Sequence, residues 1–196
     1  YEIIDDGKTY DIKLRKGVKF SDGDEMKAED VKASMERWFK VNAAGVNIAD
    51  SLKEIEIVND YEILVKFDQV YAPFISIIAS PVSCQKMIVK KKEIIDKFGE
   101  DIITEHIGTG PYVFDDIVQG QKVVLKRNEN YCPAEGELSG LAGKRVAYLD
   151  KVTIEFAPEE SVRIAGLQSG LYAFADEISP DKYSTLEQFP GISPVI

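Results

Sequence analysis

The chain has 196 residues, of which 44% are hydrophobic and 30% charged, with 34 acids against 24 bases and a net charge of −10. That composition suits a folded domain with enough apolar material for a core, and it excludes a disordered tail. The acid excess argues against a nucleic-acid binder, which needs a basic footprint on phosphate. No apolar run reaches the roughly 18 residues that a membrane-crossing helix needs.

The predicted elements follow in chain order. Ile3-Ile4 and the turn signal Asp5-Asp6-Gly7-Lys8 lead into Thr9–Arg15, where Tyr10, Ile12 and Leu14 alternate with charges, a half-buried strand in a hairpin. Turns at Lys16-Gly17 and Ser21-Asp22-Gly23-Asp24 flank the apolar step Val18–Phe20. A helix is expected over Ala28–Val41, with Val31, Met35 and Trp38 on one face, Glu29 and Asp30 in its first turn, and Asn42-Ala43-Ala44-Gly45 ending it. Ile55–Val58, Asn59-Asp60 and Tyr61–Phe67 make a second hairpin. Pro73 opens a short apolar helix through Phe74, Ile77 and Ile78, and a charged helix runs over Lys90–Phe98 to Gly99. After the break at Gly108-Thr109-Gly110-Pro111, Tyr112–Phe114 and Lys122–Lys126 form a strand pair. Asn128–Lys144 is loop, Val152–Phe156 is a strand, and Pro158 starts a helix with Val162, Ala165 and Leu167 on its apolar face. The fold class is α/β, a mixed α+β sheet with helices.

No catalytic constellation is visible. His106 is the only histidine, so any triad must use it, and its neighbours Glu105 and Ile107 suggest a surface residue. Gly108-Thr109-Gly110 lacks the Lys-Ser/Thr of a phosphate loop and is followed by Pro111 and a strand, so it reads as a tight turn. Asp22-Gly23-Asp24-Glu25 lacks the spacing of a calcium loop and reads as a solvated turn, and Lys90-Lys91-Lys92 as a solvated helix face. Glu159-Glu160 serve a helix N-terminus. Cys84 and Cys132 form no Cys-x-x-Cys; they read as small thiols, with a disulfide open if the protein is exported. The chain begins at Tyr1 without Met or a signal peptide and ends at Ile196 without a cap, so a piece of a longer polypeptide is expected.

Several segments, in order, resemble the bacterial extracellular solute-binding proteins of the oligopeptide, dipeptide and nickel class, the receptors of ABC importers. They are Gly7–Gly23 with Leu14-Arg15 and Phe20-Ser21-Asp22-Gly23, then Ala28-Glu29-Asp30-Val31, Gly108–Tyr112 and Arg127-Asn128-Glu129-Asn130-Tyr131. Leu149–Phe156, Pro158, Arg163 and Leu167-Gln168-Ser169-Gly170 complete the set. The chain departs from the family pattern at Lys27, where a capping hydroxyl is usual, at Cys132 in place of Trp, and at Leu171 and Ala173 in place of acids.

The resemblance implies a periplasmic-binding-protein-like fold without its second lobe. Residues 1–148 would be the small subdomain of lobe one, and 149–196 part of its main sheet. It further implies an extracytoplasmic receptor, periplasmic or anchored as a lipoprotein, that passes a peptide or similar small solute to an ABC permease. No cofactor, metal, nucleic acid or enzymatic activity is implied. Arg15 and Arg127 are expected to pair with acids. Loop tips near the cleft would be Val46-Asn47 and Ser80–Gln85, which makes Asn47, Ser80, Ser83 and Gln85 the candidate ligand contacts. A receptor for a nickel or metal chelate is the alternative within the family, and an acid/base hydrolase the alternative outside it.

Overall fold

The computed structural model describes residues 1–80, 82, 86–138 and 143–195. Four strands form the first sheet: β1 (Glu2–Ile4), β2 (Thr9–Lys13), β3 (Leu52–Asn59) and β4 (Glu62–Phe67), in the order β1-β2-β4-β3. All neighbours are antiparallel, with Tyr10 opposite Val65 and Ile57 opposite Ile63. β4 shows the cleanest alternation, burying Ile63, Val65 and Phe67 on one face. Three further strands, β5 (Tyr112–Val118), β6 (Lys122–Arg127) and β7 (Lys151–Glu155), form a second sheet in that order.

The helices are α1 (Ala28–Val41), α2 (Ala43–Ala49), α3 (Phe74–Ile78), α4 (Lys92–Phe98), α5 (Glu160–Gln168) and α6 (Tyr183–Leu186). By backbone contacts the chain divides into two units. Unit 1 is Tyr1–Phe114 with Leu125–Lys151, and unit 2 is Asp115–Val124 with Val152–Ile196.

Unit 1 has a closed core. Val31, Met35, Trp38 and Phe39 of α1 join Tyr10, Ile55, Ile63, Val65 and Phe67 of the sheet, with Ile48 of α2 and Phe74 of α3. Phe74 sits among aromatic rings, its centroid 5.0 Å from Tyr10 and 5.0 Å from Phe67. The Tyr10 hydroxyl donates to the Tyr71 carbonyl at 2.8 Å, so its polar end is satisfied inside the core.

Two expectations are corrected here. α1 ends at Val41 with Asn42 as its C-cap, as expected, but Ala43–Gly45 is not loop: Asn42 also caps α2, its Oδ1 accepting from the Ala44 amide at 3.0 Å. Gly45 lies within α2, where a Cβ would stand 2.3 Å from the Trp38 carbonyl oxygen, so close packing requires glycine there. Nor does Pro158 start α5, whose first residue is Glu160. The buried residue of α5 is Gly166, while Val162 and Ala165 are exposed.

The missing hydroxyl at Lys27 is offset from within. Asp30, itself buried, accepts from the Lys27 amide at 2.9 Å and from the Lys92 amide at 2.8 Å. One carboxylate thus serves the starts of both α1 and α4, where the helix dipole favours negative charge. Ser34 adds a second tie: its hydroxyl donates to the Lys90 carbonyl at 3.1 Å and accepts from the Lys90 amide at 2.8 Å.

The Lys90–Lys92 run is therefore not simply a solvated face. The Lys91 side chain is 12% exposed and lies 2.8 Å from Asp22 and 2.6 Å from Asp24. These two carboxylates hold the Lys91 ammonium far above the ordinary lysine value. Burial pushes the Asp22 carboxyl up, but hydrogen bonds from Lys91 and the Asp24 amide outweigh it and leave it below its usual range. A depressed carboxyl stabilises above its unfolded value, near pH 4, and loses that contribution as pH falls through the folded value. The raised lysine stabilises below about pH 10.4 and loses that as pH rises through its folded value. In urea melts, Asp22→Asn is expected to cost about 1 kcal/mol at neutral pH, with the gap narrowing as pH falls below the ordinary carboxylate value near 4. A gap that stays constant as the pH falls would contradict a stabilising role for the Lys91–Asp22 pair.

Candidate functional site

The family-like motifs from Arg15 to Tyr131 meet in unit 1. The Ser21 amide donates to the Gly108 carbonyl at 2.9 Å, and the Asn130 side-chain amide donates to the Ser21 carbonyl at 3.1 Å. Asn128, buried, donates from its side chain to the Gly110 carbonyl at 2.8 Å and from its backbone to the Pro111 carbonyl at 3.0 Å. Arg15 donates to the carbonyls of Pro133, at 3.0 Å, and Cys132, at 3.4 Å. Its hydrogen-bond partners are thus backbone oxygens rather than the expected acids. Arg127 does pair with an acid, Asp150, and also donates to the Ala147 carbonyl at 3.3 Å. The polar motif residues are committed to holding backbone to backbone. They form a clasp, which is a scaffold role rather than a binding one.

The candidate contacts are placed as follows. Asn47 is exposed on α2, a helix rather than the expected loop. Ser80 is half-buried just after α3, and its hydroxyl accepts from the Val82 amide at 3.3 Å. Ser83, Gln85 and Cys84 lie outside the described residues, and with Cys84 the question of a disulfide to Cys132. His106 is exposed, its ring centroid 4.5 Å from that of Phe114. Among the described residues no group of three or more His, Cys, Asp and Glu could hold a metal ion.

A concave site lies in unit 2. After α5 the chain turns at Gly170, with φ +74°, and the Tyr172 amide donates back to the Gly166 carbonyl at 3.0 Å. The Tyr172 ring covers Gly166, where a Cβ would approach it to 2.1 Å. Arg163 donates to the carbonyls of Ala157, Pro158 and Glu177 at 2.6, 2.7 and 2.9 Å. Glu160 accepts from the Ser179 amide at 2.5 Å, and hydrogen bonds from Ser179 hold its carboxyl below the usual range. These bonds fix the 176–179 turn, and Glu177 in it adopts φ +51°. The turn, α6 and the 190–195 stretch enclose an open-sided cavity of about 760 Å³. That volume falls in the range of small-ligand sites, about 300–1,000 Å³. Tyr172, Phe174, Tyr183 and Leu186 line it together with the acids Asp176 and Glu177. Sequence reasoning missed this site, because 171–195 has no hydrophobic period to mark it.

The whole chain has relatives. Residues 1–195 match the model of the bacterial extracellular solute-binding proteins, family 5 Middle. The glutathione-binding protein GsiB of Salmonella paratyphi A is 30% identical over 95% of the chain and 34% of its own length. The structure of the oligopeptide-binding protein AppA from Bacillus subtilis in complex with a nonapeptide superposes with a TM-score of 0.77 at 27% identity, over 96% of this chain and 36% of that one. The ABC transporter-associated periplasmic binding protein DppA from Helicobacter pylori, in complex with the peptide STSA, gives 0.75 at 25% identity, over 96% and 39%. The chain therefore spans about a third of the length of the curated relatives it matches. Its fold is a partial one of the periplasmic-binding-protein type, in mixed sheets and helices. No helix among the described residues is long and apolar enough to cross a membrane.

Proposed function

Because the chain belongs to family 5 of the bacterial extracellular solute-binding proteins, we propose that it is part of the extracytoplasmic receptor of an ABC importer. The receptor captures a peptide or similar small solute between two lobes and delivers it to the membrane permease. No bond is made or broken; the solute shifts the population toward the closed state by contacts it makes only there. The protein works in the periplasm or, as a lipoprotein, at the cell surface. The observation that carries this reading is a family match running from residue 1 to residue 195. The likeness to receptors holding a nonapeptide and the peptide STSA supports peptides as the solute class.

In this reading residues 1–148 belong to the small subdomain of lobe one and 149–196 lead into its main sheet. Asn47, Ser80, Ser83 and Gln85 are contacts from the first segment.

The test is a thermal-shift series on the natural full-length polypeptide. The panel is di- to pentapeptides, glutathione, and nickel with and without histidine. A ligand at a hundredfold excess over its Kd stabilises the native state by about 2.7 kcal/mol, so melting should rise by several degrees with peptides. A rise with nickel and histidine alone would replace this reading with a metal-chelate receptor. A folded protein that shifts with nothing would end it.

A further inference from the structure

We propose that residues 90–101 form a strap, fastened to α1 by Asp30, Ser34 and Arg37, that opens and closes as one unit while the core of unit 1 stays packed. The inference stands apart from the receptor reading.

The fastenings are the first argument. Asp30, Ser34 and Arg37 recur at i, i+4 and i+7, which puts them on one stripe of α1. Each bonds to backbone of the strap. The Asp30 carboxylate accepts from the Lys92 amide, and the Ser34 hydroxyl bonds both polar backbone groups of Lys90. Arg37 donates to the carbonyls of Gly99 at 2.7 Å and Asp101 at 2.8 Å. Lys91, between Asp22 and Asp24, adds a further tie. Polar bonds of this kind exchange for bonds to water at small net cost, unlike buried apolar surface.

The core supplies the second argument. Along the chain its apolar contacts reach Met87 and Val89 and do not include the strap. Ile94 is the buried residue of α4, and it lies outside the core cluster. The element that α4 packs against is α1. The strap can therefore leave without baring the core face of the first sheet.

Cooperativity is the third. α4 has seven residues, short of the roughly 12–15 at which an isolated helix becomes marginally stable in water. Chain without helix or strand flanks it over 86–91 and 99–111. Off α1 it melts, so its bonds break together. α1 does not follow, because the other oxygen of Asp30 still accepts from the Lys27 amide and keeps the cap. Opening thus turns the stretch between Val89 and Gly108, the latter held by the Ser21 amide, into a free arm that carries the basic run Lys90-Lys91-Lys92.

The experiment is amide hydrogen exchange on the natural full-length polypeptide, read by mass spectrometry on peptides covering 90–101 and β4. In the wild type the 90–101 amides should exchange in one phase, about a hundredfold or more faster than those of β4. Ser34→Ala should speed the strap about tenfold further through its lost bonds. Ile63→Val, at a core position with 0% exposure, should speed β4 several-fold and leave the strap unchanged. Strap amides as slow as β4, or accelerated with it by Ile63→Val, would make 90–101 part of the core unit and overturn the proposal. Strap exchange that Ser34→Ala does not move would overturn it too, since the stripe on α1 would then fasten nothing.

Discussion

Gly45→Ala should destabilise the protein by about 3 kcal/mol or more, although the same change in an exposed helix stabilises it by about 1 kcal/mol. The reversal comes from where the new methyl would go. It would stand 2.3 Å from the Trp38 carbonyl oxygen and 2.8 Å from both the carbonyl carbon and the indole ring. The carbonyl cannot yield, because it accepts the Asn42 amide at 3.0 Å and closes the end of α1. The indole is buried in the core and is equally fixed. α2 would have to lift from α1, taking buried Ile48 with it. Urea melts of both proteins measure the loss. A variant within about 0.5 kcal/mol of the parent would show that α2 does not lie against Trp38 in this way.

Phe74→Ala should cost about 3–5 kcal/mol, a large share of the 5–15 kcal/mol that holds a typical domain together. The ring is 0% exposed and contacts both Tyr10 and Phe67 at centroid distances of 5.0 Å. Its loss removes a wedge that no neighbour can replace, since the Tyr10 hydroxyl is anchored on Tyr71. Near-ultraviolet circular dichroism should lose aromatic intensity in parallel with the melt. Ile102→Ala serves as the control: at 85% exposure it should move stability by no more than about 0.5 kcal/mol. Equal effects of the two substitutions would contradict the core described here.

What the sequence revealed depended on whether the signal was local. Alternation in Tyr10-Asp11-Ile12 and in Ile63–Phe67, with the Asn59-Asp60 turn between two strands, marked both hairpins, because side-chain period and turn chemistry are read from neighbouring residues. α2 was hidden by Ala43-Ala44-Gly45, which carries the signature of a helix end. Glycine stands there to admit Trp38, and that need arises only once the helices pack. The Lys90–Lys92 run concealed Lys91 for a related reason: its partners, Asp22 and Asp24, lie 69 and 67 residues away. The motifs were recognisable one by one as scaffold, but their convergence was not, since each bond joins two distant turns. The cavity of unit 2 left least trace. Its acids are ordinary surface carboxylates in the sequence, and only Arg163 and Glu160, reaching across from α5, give them a fixed place.

The clasp also bears on the order in which the chain can become native as it emerges, N-terminus first, from the ribosome or an export channel. The bond from Tyr10 to Tyr71 spans 61 residues, and the core it belongs to reaches only as far as Val89. The bonds from Asn130 to Ser21 and from Arg15 to Pro133 span 109 and 118. The core can therefore collapse while the second half of the clasp is still unmade, and a chain halted before Gly108 would be packed but unfastened. Arg15 and Ser21, already in position, would wait for backbone partners that arrive last.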